Sequence, residues 1–123
     1  MIVVADTSPL NYLIQIQCEH VLPRLYRVVV VPLGVIEELR SEKAPFAVKA
    51  WFQSLPYWLE IRPLASTSNP ELNHLGPGER EAIQLAEEQR ASLLLIDERK
   101  GQSEAARRGL STTGTFGRPS RCR

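Results

Sequence analysis

The sequence predicts an α/β fold, a three-layer α/β/α sandwich around a central, mainly parallel sheet. Short apolar runs of β-branched residues and leucine recur at 2–5, 28–31 and 93–96, the pattern of strands buried on both faces. Between them, apolar residues return at helical spacing, so strands and helices alternate along the chain. The first run ends on Asp6 and the last on Asp97. In a parallel sheet the carboxyl ends of the strands border the ligand crevice, so two carboxylates are expected there.

Each element has a local reason. Residues 2–5 form the first strand. Thr7-Ser8-Pro9 opens a helix with hydroxyls suited to capping and a proline where a first-turn amide needs no partner. Leu10, Leu13, Ile14 and Ile16 share its inner face. A strand over 28–31 stops at Pro32, and Val35, Ile36 and Leu39 mark a helix over 33–42. Pro45 starts another helix, carrying Phe46, Val48, Ala50 and Phe52. The strand over 58–64 belongs near an edge, because Pro63 lacks a ladder donor. Residues 66–77 read as a loop too short to link domains. Glu79 begins a helix whose Ala82, Ile83, Leu85 and Ala86 form the buried stripe. After the strand at 93–96, a polar helix over 99–108 ends at Gly109, and 110–113 forms a last strand.

A chain of 123 residues holds one domain with a real core, expected over 1–117, with 118–123 as an irregular Arg-rich tail. A hydrophobic share of 43% with 24% charged residues excludes a disordered chain. The net charge of +1 excludes nucleic-acid binding through bulk charge, so any such role rests on local patches. Cys18 and Cys122 lack metal-ligand spacing and are expected as free thiols in a reducing cytoplasm. The N-terminal run has no charged flank or cleavage site and reads as a strand, not a signal peptide. No apolar run nears the roughly 20 residues of a membrane span.

Four acids sit where strands end or helices begin: Asp6, Glu38, Glu79 and Asp97. Carboxylate oxygens suit Mg²⁺ or Mn²⁺, ions that activate water and polarise phosphoryl oxygens. Without a cation, two unit charges 4 Å apart repel by roughly 4 kcal/mol at an effective dielectric near 20. Taken singly, each acid also has a plainer role. Asp6 suits a helix cap, Glu79 complements a helix dipole, and Glu37 with Glu38 suits a solvated face. No Ser/His or Cys/His nucleophile arrangement is present. Arg99, Lys100, Arg107 and Arg108 follow Asp97 and suit either RNA phosphates or a solvated helix face. Trp51, Phe52, Tyr57 and Trp58 cluster around Pro56 and suit core packing or base stacking.

The ordered segments resemble a known family. Val-Val-Ala-Asp6-Thr7-Ser8-Pro9-Leu10 is similar to the opening of PIN-domain ribonucleases. The likeness continues in Val31-Pro32-Leu-Gly-Val35-Ile-Glu-Glu38-Leu39 and in Leu75-Gly-Pro-Gly-Glu79-Arg-Glu-Ala-Ile-Gln-Leu-Ala86. It closes with Leu94-Leu95-Ile96-Asp97-Glu98-Arg99-Lys100-Gly101 and Gly109-Leu110-Ser111-Thr112-Thr113-Gly114-Thr115. The chain looks most like the VapC-like toxin branch, and the resemblance implies a shortened C-terminus, with the Arg-rich hexapeptide in place of further helical sequence.

The resemblance implies a cytoplasmic endoribonuclease that hydrolyses RNA phosphodiesters with Mg²⁺ or Mn²⁺. It implies the toxin of a type II toxin–antitoxin pair, with RNA as substrate, a cognate antitoxin, a homodimer and no membrane. Asp6, Glu38, Glu79 and Asp97 take the catalytic and metal-ligand positions, Ser8 supports Asp6, and Arg99 and Lys100 suit RNA phosphates. Glu38 is preferred to Glu37 because the family's acid directly precedes the leucine. Glu79 is preferred to Glu81 for its 18-residue spacing to Asp97, and Glu98 is a candidate outer ligand. Two rival functions remain. One is a shortened PIN-like module that binds an antitoxin or dimerises without cutting RNA. The other is a receiver-type phospho-acceptor, opposed by the lack of an acid pair beside the first strand.

Overall fold

The computed structural model describes residues 2–67 and 69–114. The strands are β1 (Val3–Ala5), β2 (Val29–Val31), β3 (Leu59–Ile61), β4 (Leu93–Leu95) and β5 (Thr112–Thr113). They pair in the order β3-β2-β1-β4-β5, and every pairing is parallel. The helices are α1 (Thr7–Gln15), α2 (Val21–Leu25), α3 (Leu33–Arg40), α4 (Phe46–Trp51), α5 (Pro77–Gln89) and α6 (Arg99–Arg107). The expected α/β/α sandwich is therefore the observed fold.

Strand side chains alternate between two cores. Val3, Ala5, Val29, Val31, Leu59 and Leu95 pack with Leu10 and Leu13 of α1, Leu39 of α3 and Val48 of α4. Val4, Val30, Leu94 and Ile96 pack with Ala82, Ile83, Leu85 and Ala86 of α5 and Ala105 of α6. Neither face of β1 meets water, which explains its unbroken apolar run. Each fully buried Leu or Ile contributes about 1.5–3 kcal/mol relative to exposure.

Some elements differ from expectation. α2 has no clear periodicity in the sequence, since Pro23 and Arg24 interrupt it, yet buried Leu22 anchors it. β3 is shorter than 58–64: the Arg62 amide still bonds the Val31 carbonyl at 3.0 Å, and Pro63 then has no amide to give. α5 begins at Pro77 rather than Glu79, with Gly76 as N-cap and proline in the first turn. Inside the expected loop lies a short 3-10 helix over Pro70–Leu72, started by the Asn69 side chain accepting from the Glu71 amide at 2.9 Å. α6 stops as expected: Gly109 has φ +79°, and the Leu110 amide closes onto the Ala105 carbonyl at 2.9 Å.

Cys18 is buried in the first core, and the expectation for the two thiols also involves Cys122. Cys122, Thr115 and the expected tail over 118–123 lie outside the described residues. The aromatic cluster mostly packs inward: Trp51 stands edge-on to Phe52 at 4.8 Å and tilted to Trp58 at 5.9 Å. Phe52 and Trp58 are buried, whereas Tyr57 is exposed. Among the described residues, no helix is long and apolar enough to cross a membrane.

Candidate active site

β1 and β4 are neighbours, with Ala5 paired to Leu95. From β1 the chain builds outward through β2 and β3, then returns to β4 on the other side. The boundary between β1 and β4 is therefore the topological switch point, where a crevice opens at the carboxyl ends. Asp6 and Asp97 emerge there. The Asp6 amide donates to the Leu95 carbonyl at 2.9 Å, fixing Asp6 against the end of β4.

Asp6 is 1% exposed. It occupies the N-cap position of α1 without a side-chain capping bond, and its Oδ1 has no hydrogen-bond partner. Capping alone does not account for such a residue. Burial pushes its carboxyl up from 3.8 to about 7, against the Thr7 amide, with the charges of Glu79, Glu38 and Asp97 adding to the rise.

Glu38 is half-buried, whereas Glu37 is exposed. Its Oε1 accepts from Thr7 Oγ1 at 2.5 Å and its Oε2 from the Gly78 amide at 3.1 Å. One carboxylate thereby ties α3 to the starts of α1 and α5. A Cβ at position 78 would stand 2.6 Å from Glu38 Oε1 and 2.8 Å from Thr7 Oγ1, so this approach requires glycine.

Glu79 reaches back in part as a cap: its Oε1 accepts from the Gly76 amide at 3.2 Å. Its Oε2 is buried without a partner. Burial is the main cause raising its carboxyl; the Gly76 bond opposes, Glu98 and Glu38 add, and Lys100 opposes. Gly101 lets α6 come close, since a Cβ there would lie 2.5 Å from Ile96 Cδ1 and 3.3 Å from Glu79 Oε2. Glu81 instead accepts from the Gly34 amide at 2.9 Å, capping α3.

Asp6, Thr7, Ser8, Glu38, Gly78, Glu79 and Glu98 line one cleft of about 190 Å³. Asp97 is half-buried beside it, near enough for its charge to act on Asp6, with Oδ1 against Gly114. Arg99 and Lys100 are exposed at the start of α6. Arg108 is engaged elsewhere, bonded to Glu104 at 2.7 Å, Glu71 at 2.8 Å and Glu87 at 3.1 Å.

Residues 2–117 match the family model described as a PIN domain. The chain belongs to the PIN-domain family. PIN domains are generally nucleases and typically use divalent metals. The fold is also that of a PilT N-terminus domain protein from the hyperthermophilic archaeon Sulfolobus solfataricus, at a TM-score of 0.65 and 16% identity. That match covers 94% of this chain and 87% of the other, and at this identity it carries the fold alone. No curated protein matches the chain.

The acids of this PIN domain do not form a closed metal cage as they stand: among the described residues, no three His, Cys, Asp or Glu side chains are placed to ligate one ion. The donors nevertheless fit a hard divalent cation. Two carboxylate oxygens, Asp6 Oδ1 and Glu79 Oε2, are buried without partners, and oxygen donors suit Mg²⁺ or Mn²⁺. Sequence reasoning missed the part played by Thr7, read only as a cap, and by the Gly78 amide. The Gly-Pro-Gly run ahead of Glu79 was the available signal for a close backbone approach.

Proposed function

We propose that this PIN domain, spanning 1–117, is a metal-dependent endoribonuclease that hydrolyses RNA phosphodiesters. The burial of Asp6 at the switch point with an unpartnered carboxylate oxygen carries the reading. Asp6, Glu38, Glu79 and Asp97 would hold Mg²⁺ or Mn²⁺. The ion would supply an activated water and a polarised phosphoryl oxygen at neutral pH.

The chain's own residues do the rest. Asp6 and Glu79 offer the unpartnered oxygens. Glu38 is held by Thr7 and Gly78, so it reaches an ion by exchanging one of those bonds. Ser8 lines the cleft beside Asp6 and supports that carboxylate. Glu98, on the same wall, is an outer acid. Lys100 and Arg99 take flanking phosphates, contacts that position the strand without reading its sequence. The VapC-like motifs support a finer assignment: the toxin of a type II pair, acting in the cytoplasm as a homodimer restrained by a cognate antitoxin.

One observation favours a second reading. The acids are not gathered for ligation as placed, which suits a module that binds a partner without cutting RNA. Incubation with single-stranded RNA and Mn²⁺ separates the two. The nuclease reading predicts cleavage that EDTA, Asp6→Asn and Asp97→Asn each suppress. Intact RNA in every lane, or cleavage indifferent to all three, would remove it.

A further inference from the structure

We propose that the pocket beside the acid cleft is a nucleoside subsite, seating the base and ribose next to the phosphate being cut. The inference rests on the nuclease reading and deepens it. The pocket is an open hollow of about 280 Å³ and shares Thr7 and Glu38 with the cleft. A strand whose phosphate lies at the acids therefore delivers its neighbouring nucleoside here.

The walls have the composition such a ligand needs. Leu39, Ala44 and Pro45 supply apolar surface for a base face, and Asn11, Ser41 and Lys43 supply polar groups. Asn11 Oδ1 accepts from Gln15 Nε2 at 3.0 Å. That bond orients the amide and leaves its N–H donors for acceptors on a base edge. The Ser41 hydroxyl donates to the Glu38 carbonyl at 3.0 Å, so its lone pairs remain to accept from a ribose hydroxyl or an exocyclic amine. Lys43 is exposed and sets a cation at the pocket's end of the acid cleft, where the next phosphate of the strand would lie. The turn between α3 and α4, closed by the Ala44 amide on the Ser41 carbonyl at 3.1 Å, holds these groups together.

Nucleoside 5′-monophosphates test the subsite directly, because they contain no phosphodiester to cut. Titrated into the wild-type protein in Mg²⁺ buffer, they should shift the backbone amide signals of Asn11 and of residues 41–45, with dissociation constants that differ among the four bases. Ala44→Trp fills the pocket and should weaken binding by at least about tenfold. Lys43→Ala, at an exposed position that tolerates change, should weaken it by about threefold. Amide shifts elsewhere only, or wild-type affinity in both variants, would overturn the subsite. Cleavage is read separately. Asp6→Asn should stop RNA cleavage, so a variant that still cuts at the wild-type rate would overturn the nuclease reading, while nucleotide binding by the wild-type protein leaves the subsite standing.

Discussion

Asp6 joins three properties: the end of β1, near-complete burial and a carboxylate oxygen without a partner. Its carboxyl titrates near 7 in the folded chain, raised first by burial. Between the ordinary value and 7 the folded state binds more protons than the unfolded state, so stability falls as pH rises through that window. The contribution is full below about 4 and lost above 7. Raising the carboxyl from 3.8 to about 7 corresponds to an upper bound of about 4 kcal/mol. In metal-free protein, Asp6→Asn should therefore be the more stable form at pH 8, by a few kcal/mol at most, with the gap closing by pH 4. Urea melts at the two pH values check this; a pH-independent gap would contradict it. Gly78 acts at the same scale. Gly78→Ala drives a methyl group into Glu38 and Thr7 and should cost about 1–3 kcal/mol in chemical denaturation, with reduced RNA cleavage.

Helix α6 is fastened to the rest of the fold by charge. Buried Glu104 bonds Arg107 and Arg108, and Arg108 continues to Glu87 on α5 and Glu71 on the 3-10 helix. Hydrogen bonds from Arg107 and then Arg108 hold the Glu104 carboxyl below its ordinary value. Its stabilising contribution is present above the unfolded-state value and is lost as pH falls through the lower folded one. Arg108→Ala should lower the melting midpoint at pH 7 more than Arg107→Ala does, because Arg107 is largely exposed, and the difference should shrink in acid. Arg90 offers a test with the opposite sign. It ends α5 at φ 53°, a conformation that suits glycine, so Arg90→Gly should leave stability unchanged or raise it by up to about 1 kcal/mol. The sequence showed most of these elements because their signals are local: apolar runs for β1 and β4, Pro9 for α1, Gly109 for the end of α6. α2 was not legible, since its one buried anchor, Leu22, leaves no periodicity. The Glu38–Thr7–Gly78 tie was not legible either, because it joins segments 31 and 40 residues apart.

The strand order β3-β2-β1-β4-β5 brings Asp6 and Asp97, from opposite ends of the chain, to adjacent strand ends. The ordered acids were readable from motif order, but their separate duties were not. The sequence could not show that Glu38 is tied by both oxygens, that Asp97 stands beside the cleft, or that Glu81 caps α3. Those distinctions depend on where helices pack against one another. If the acids bind an ion only in the folded molecule, Mn²⁺ at about 100 times its dissociation constant should stabilise the protein by about 2.7 kcal/mol, and Asp97→Asn should reduce that gain. The proposed divalent-metal site unites these carboxylates, and the paramagnetic signal of free Mn²⁺ reports its occupancy. On titration, wild-type protein should deplete the signal saturably, and Asp6→Asn should bind at least about tenfold more weakly. Equal depletion by both proteins, or none by the wild type, would rule that site out.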